Sequence, residues 1–331
     1  MAFLRLLGTI SKSYFQYLRL IPPKAFAAGI IAFYFWRSLN MAWILFTLLA
    51  ASMQAWRNAF QSQLSKDVNI AGVTLARFLW ATPIAIIYLL GLYAWQPVGL
   101  PFITFKFTAY VLGAAAMQII ATALMVKLFK MKNFAVGAGL AKSEALVAAI
   151  LGVLFFGTHL SLLGWLGVFV GAIAIFLMSS KQGLRQLSLS TVLLGLACGT
   201  AFALTSLWVR EASLNLDLPF PHRAAWVLLF VIAIQTTVLL IYSYAVDKNT
   251  IDGLLQRPKL TLLTSATSCL GSIGWFSAMS LQAVPYVKTL GQVEVFFTLL
   301  IATFWLKDKV KVKDMLGLVL IAVAAILVMW G

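Results

Sequence analysis

Apolar runs of about 20 residues recur along almost the whole chain, and the charged residues gather in the short joints between them. A helix needs about 20 mostly apolar residues to cross the hydrocarbon core of a bilayer. Ten segments meet that requirement: 41–60, 70–95, 107–129, 134–156, 161–180, 190–212, 222–246, 260–282, 285–306 and 313–330. Joints such as Gly157–Leu160 and Lys307–Val312 are short, so sequence neighbours are expected to be antiparallel helices. The 331 residues are 62% hydrophobic and only 10% charged, whereas soluble domains run at about half apolar and a quarter charged. The expected fold is therefore an all-α polytopic membrane protein with ten transmembrane helices. Trp43, Trp95, Trp165, Trp226, Trp305 and Trp330 fall near segment ends, where an interfacial aromatic belt would place them.

A net charge of +16 raises the question of nucleic acid. The basic residues sit at the ends of apolar runs rather than on one compact face, so nucleic acid is excluded as a partner and the lipid bilayer is expected instead. Lys and Arg are dense in alternate joints: Arg57 and Lys66; Lys127, Lys130 and Lys132; Lys181 and Arg185; Lys248, Arg257 and Lys259; Lys307, Lys309, Lys311 and Lys313. The opposite joints carry little beyond Lys106, Arg210 and Arg223. The positive-inside tendency puts the dense set in the cytoplasm and both ends of the ten-helix core outside.

Residues 1–40 differ from the rest. Arg5, Lys12 and Arg19 recur every seven positions, with Leu6, Leu7, Ile10, Phe15 and Leu18 between them. The pattern predicts a basic amphipathic helix on the membrane surface, ended by Pro22-Pro23. The apolar run Ala25–Trp36 is too short to span, and the first full helix is expected to begin at Met41. Nothing after that run resembles a signal-peptide cleavage site.

The rest of the chain reads as a duplication. At an offset of 150, Leu64 and Asp67 meet Leu214 and Asp217, Leu140 and Glu144 meet Leu290 and Glu294, and Leu166-Gly167 meets Leu316-Gly317. Ala172 and Ala174 meet Ala322 and Ala324. Chance apolar similarity would drift in register, and this does not. Residues 41–180 and 190–331 then form two five-helix repeats. An odd helix number forces the repeats into opposite orientation, an inverted repeat suited to alternating access.

Charge within the apolar segments marks the candidate site. Glu144 and Lys142 lie inside segment 134–156, and Lys288, Gln292 and Glu294 inside segment 285–306. The offset pairs the two glutamates and also Lys142 with Gln292. On a continuous helix Lys288 and Gln292 would share a face. A carboxylate in the bilayer interior is costly, so it carries a function or has a partner. Glu144 or Glu294 is expected to exchange a proton or balance a cationic substrate group, and Lys142 or Lys288 to meet an acidic one. The structural alternative pairs each Glu with a neighbouring Lys or with Arg77.

Segment 260–282 carries Thr264, Thr267, Ser268, Gly271, Ser272 and Trp275 at three-and-four spacing. Its counterpart carries Gln118 and Thr122. A cavity wall that hydrogen-bonds substrate is the functional expectation, and bonding between helices is the structural one. Gln54, Arg57, Asn58 and Gln61 form another polar stripe, which could line the mouth of the path but is read preferentially as a solvated vestibule or snorkelling anchor. Trp80 is ambiguous between cavity and lipid. Small residues four apart (Gly137, Ala141, Ala145, Ala149; Gly167, Gly171; Gly195, Gly199, Ala203) predict close helix packing. No phosphate-cradling motif occurs. Cys198 and Cys269 lie in apolar segments, so no disulfide framework is indicated. His159 and His222 fall in predicted loops without a ligand cluster, so no metal, cofactor or enzymatic activity is expected.

The opening "MAWILFTLLAASMQAWRNAFQSQL" and the repeat ends "LGVFVGAIAIFLM" and "LGLVLIAVAAILVMW" resemble the drug/metabolite transporter superfamily, specifically EamA-type transporters. The resemblance covers residues 41–331. It implies a basket of ten helices around a central cavity, with segments 107–129, 134–156, 260–282 and 285–306 nearest the substrate. Many relatives carry a Gly-Glu pair after the fourth helix of each repeat. Here those places read Phe156-Gly157-Thr158-His159 and Leu306-Lys307-Asp308-Lys309. The implied function is a bacterial inner-membrane secondary transporter, exporting a small polar or amphipathic metabolite, with proton coupling. An anion exchanger using Lys142 and Lys288 is the rival within transport, and a non-transporting helix bundle is the rival outside it. A homodimer is left open.

Overall fold

A computed structural model describes residues 23–130, 141–179, 189–246, 249–304 and 312–330. Arg5, Lys12 and Arg19 of the N-terminal segment, Gly137, Leu140, Lys181, Arg185, Trp305 and the joint at Lys307 lie outside the described residues. The chain divides into two compact units, Met1–Ala42 and Trp43–Gly331. Of the first, residues 23–42 are helical. The second holds every feature discussed below.

Among the described residues the chain is helical apart from turns and short loops. The elements in order are α1 (Pro23–Leu64), α2 (Ile70–Phe78), α3 (Ala81–Trp95), α4 (Phe105–Lys130), α5 (Glu144–Phe155), α6 (Leu162–Ser179) and α7 (Leu189–Leu214). Then come α8 (His222–Val246), α9 (Asn249–Leu255), α10 (Pro258–Leu281), α11 (Val284–Leu290), α12 (Glu294–Phe304) and α13 (Val312–Trp330). Helix α1 begins at Pro23, not near Met41. Proline is tolerated in the first helical turn because its missing N–H would have no helical partner there. It can therefore open a helix here.

Among the described residues, five stretches are long and apolar enough to cross a membrane: Ile70–Trp95, Phe105–Lys130, Leu189–Leu214, His222–Val246 and Val284–Ile301. Glu144–Phe155, Leu162–Leu177 and Val319–Trp330 are shorter apolar helices. The surface is that of a multi-pass membrane protein. Ile87, Leu90, Phe105, Leu162 and Phe304 are each at least 63% exposed, while Arg57, Arg77, Lys288 and Glu294 are at most 7% exposed. A soluble protein distributes these residue types the other way.

Small residues set the packing. Helix α4 packs along α7, α6 along α13, and α3 along α8. A Cβ at Gly167 of α6 would stand 3.0 Å from the Ala324 carbonyl of α13. Ala141, Ala145 and Ala149 are buried, as the small-residue spacing predicts. In α10, Gly271 and Gly274 face Phe46, Ala50 and Met53 of α1.

Expected segment 70–95 is broken at Leu79-Trp80 into α2 and α3. Pro83 lacks an N–H and its ring crowds the carbonyl four residues earlier, that of Leu79. Other helices take up the freed backbone groups. The Ser265 hydroxyl donates to Ala76 O at 2.5 Å and accepts from Trp80 N–H at 3.1 Å. Thr236 donates to Phe78 O at 3.0 Å. The end of α10 is held by arginines: Arg210 donates to Met279 O and Gln282 O, and Arg223 to Ser280 O. Basic side chains suit the negative end of a helix dipole.

Two local expectations change, and one left open is decided. Trp43 is buried in the core, 4% exposed, and so does not sit in an interfacial belt. His222 is a fully buried first residue of α8, packed edge-on to Tyr93, and not a loop residue. Trp80 is half exposed on the outer surface. Because Ser265 alone serves two backbone groups at the Pro83 break, Ser265→Ala is expected to cost about 1 kcal/mol. Thermal unfolding of the detergent-solubilised protein should register that loss, whereas Thr267→Ala on the same helix should be near neutral.

Candidate functional site

Both glutamates begin a helix, although each was expected inside one. Glu294 opens α12 directly after a 3₁₀ turn at Gly291–Val293, and Glu144 opens α5 after a turn at Lys142-Ser143. These interruptions fall at equivalent places under the offset of 150. A carboxylate in the first turn of a helix meets the positive end of its dipole. Two glycines admit the neighbouring groups. A side chain at Gly199 of α7 would press on Ser143 Oγ and Ala141 O, 2.7 and 2.9 Å from its Cβ. One at Gly291 would run into the Trp275 ring.

The ion pairs cross between the two interrupted segments. Lys142 pairs with Glu294, and Lys288 with Glu144 at 3.5 Å. The glutamates differ in how firmly they are held. Glu294 accepts from Lys142, from Gln54 and, at 2.8 Å, from Asn58. Glu144 has Lys288 as its ion-pair partner and borders a cavity. Glu294 is thus fixed by three donors, whereas Glu144 has one ion-pair partner among the described residues and lines the cavity.

Trp275 ties the lysine side to α1. Its indole N–H donates to Gln54 Oε1 at 2.9 Å, and its ring face lies 4.2 Å from Lys288 Nζ. That arrangement gives the buried ammonium a cation–π contact besides its carboxylate. Asn58 links the other side, accepting from Arg57 at 2.9 Å while donating to Glu294. Arg77, in the last turn of α2, donates to Thr122 Oγ1 at 2.6 Å, and Thr122 donates to Gln118 O at 2.7 Å. Gln118 accepts from Gln235 of α8 at 2.7 Å.

A cavity of about 30 Å³ lies among these groups, room for a few water molecules. Its polar lining includes Arg57, Arg77, Gln118, Lys142, Glu144 and Lys288, and its apolar walls are Met125, Phe202, Phe276 and Met279.

Of the expected site residues, Glu144, Lys142, Lys288, Gln118, Trp275 and Arg77 converge on this cavity, with Glu294 and Thr122 bonded directly behind it. Arg77 bonds Thr122, not a glutamate. Gln292 is 2% exposed and lies against Gly171 of α6 instead of sharing a face with Lys288. The 3₁₀ turn that contains Gln292 interrupts the helical period on which that expectation rested. Thr264, Ser268 and Ser272 are buried but do not border the cavity. Ser265 of the same helix links α10 to α2, whereas Thr264 Oγ1 and Ser268 Oγ are buried without a hydrogen-bond partner among the described residues.

The stripe on α1 is the main revision. Arg57 and Gln61 are buried, and Gln54, Arg57 and Asn58 belong to the charged network, so no solvated vestibule forms there. Their spacing carried the signal, since four polar groups at positions 54, 57, 58 and 61 share one face of an apolar helix. Gln235, Thr205 and Ser206 were not singled out in sequence. Gln235 begins a run of three polar residues and Thr205-Ser206 is a pair, each in an apolar segment without a repeat partner to mark it.

No protein-family model matches the chain, and no curated protein does. Among solved structures, 28 chains match its fold. One, a crystal structure of a protein, is similar with a TM-score of 0.65 and 14% identity, over 85% of this chain and 97% of that one. At that identity the likeness establishes a shared fold.

Proposed function

We propose that the chain is a secondary transporter of the EamA type, built as two inverted five-helix repeats of ten spans in all. It would export a small polar or amphipathic metabolite across a bacterial inner membrane by alternating access. The observation that carries this reading is the pair of crossed salt bridges at two equivalent helix interruptions beside a buried polar cavity. Interrupted helices that present charge in the membrane interior are a recurrent design of transporter binding sites. The packing adds support. Helix α4 lies along α7, and α10, offset by 150 from α4, lies along α1 of the other half.

The crossed pairs suggest how the halves are coupled. Each pair joins one repeat to the other, so both hold while the cavity is closed. Protonation of Glu144, or binding of substrate beside it, would release Lys288 and loosen one of the two ties. Glu294, held by three donors, would keep its side intact as a pivot. Breaking a buried pair by removing one partner is costly because it leaves a charge unmatched, about 3 kcal/mol or more. Substrate must supply that compensation, which makes opening conditional on binding.

Two predictions follow from the asymmetry between the carboxylates. In proteoliposomes, Glu144→Gln should abolish or flatten the pH dependence of efflux, and because it leaves Lys288 without its carboxylate it should lower thermal stability as well. Glu294→Gln should lower stability by roughly 3 kcal/mol, visible as an earlier melting transition. Wild-type flux and pH profile in both variants would remove the coupling role. For the pair itself, Lys142→Met alone should destabilise more than Lys142→Met with Glu294→Met, because the double variant leaves no unmatched charge. A thermodynamic cycle on the four proteins measures this directly.

A further inference from the structure

The cavity is not electrically balanced. Arg57, Arg77, Lys142 and Lys288 border it, while among the described residues only Glu144 and Glu294 lie in the same network. Both carboxylates are committed to lysines. Four cations against two carboxylates leave two positive charges, and these reside on the arginines.

Neither guanidinium has a carboxylate in salt-bridge contact among the described residues. Arg57 donates through Nε and Nη2 to a neutral amide oxygen, that of Asn58. Arg77 donates through Nη1 to the Thr122 hydroxyl, its Nε is buried with no acceptor, and its guanidinium lies 5.2 Å over the Phe78 ring. The two are 4% and 3% exposed. A guanidinium stays protonated in proteins and is built for bidentate contact with carboxylate or phosphate. Two of them buried with only neutral partners, facing one cavity, form a strong electrostatic demand for an anion.

Resting on the transport reading above, we infer that the substrate is a small organic anion whose carboxylate or phosphate group is received by Arg57 and Arg77. The anion-exchanger rival assigned that role to Lys142 and Lys288, but both lysines are already matched. They would hold the two halves together while the arginines read the substrate. Gln118, which borders the cavity, and Thr122, which touches Arg77, are placed to orient the acidic group. The cavity has room only for a few water molecules, so the anion would enter as the Lys288–Glu144 tie opens.

The test uses the full chain in phosphatidylcholine liposomes, which exclude anionic lipid headgroups as the source of negative charge. The vesicles are loaded with a bacterial metabolite extract, and the released compounds are sorted by net charge with mass spectrometry. Enrichment of organic anions supports the inference, and the spectrum separates carboxylates from phosphate esters. Release of neutral or cationic compounds overturns it and leaves the transport reading standing. No release above protein-free vesicles overturns both. Arg57→Gln and Arg77→Gln should each reduce anion efflux by about tenfold or more. Arg57→Lys and Arg77→Lys, which keep the charge and lose the fork, should retain part of it. Should the Gln variants fail to fold, the Lys variants decide alone: unchanged anion efflux in both overturns the assignment.

Discussion

Charge inside an apolar bundle must find a partner, and most of this structure's interior is arranged around that requirement. Lys142, Glu144, Lys288 and Glu294 neutralise one another in two crossed pairs. Gln54, Asn58 and Trp275 then satisfy the remaining donors and acceptors from α1 and α10. Removing any one charge would leave another buried without its partner. The pairs also join elements far apart in sequence, so they act as crosslinks between the first and second halves of the chain.

Interrupted helices make this arrangement possible. A continuous helix fixes side-chain directions by its 3.6-residue period and leaves its interior backbone groups engaged. The turn at Lys142-Ser143 and the 3₁₀ turn at Gly291–Val293 reset that period, letting each Lys and Glu aim across at the other half. Gly199 and Gly291 remove the Cβ atoms that would block these approaches. A third interruption, at Pro83, is handled differently: hydroxyls from α8 and α10 seal it, and it leaves Arg77 at the end of a short helix beside the cavity. No proline lies at the corresponding place in the second half, where Ala233 sits within a continuous α8. The free arginine is therefore a one-sided feature.

Much of the candidate site was legible in the sequence because buried charge is rare in apolar segments. Glu144, Glu294, Lys142, Lys288 and Arg77 stand out on that ground alone. Gln292 was misassigned because its direction was read from an unbroken helix. Thr264, Ser268 and Ser272 were expected at the cavity because hydroxyls can serve either a ligand or a neighbouring helix, and periodicity does not separate the two uses. Arg57 and Asn58 were underrated because a polar stripe toward a helix end looks the same whether it meets water or a buried carboxylate.

From the sequence alone came the helical, membrane-embedded character of the chain and the short list of charged residues that had to be accounted for. Those conclusions follow from composition and spacing, since lipid tolerates only backbone that satisfies its own hydrogen bonds. Tertiary structure decided which charge meets which. Pairing depends on where helices stop and how closely their axes approach, and both are set by contacts between residues more than a hundred positions apart, such as Lys142 with Glu294 and Trp275 with Gln54. The imbalance that leaves Arg57 and Arg77 without acidic partners is visible only once those contacts have formed.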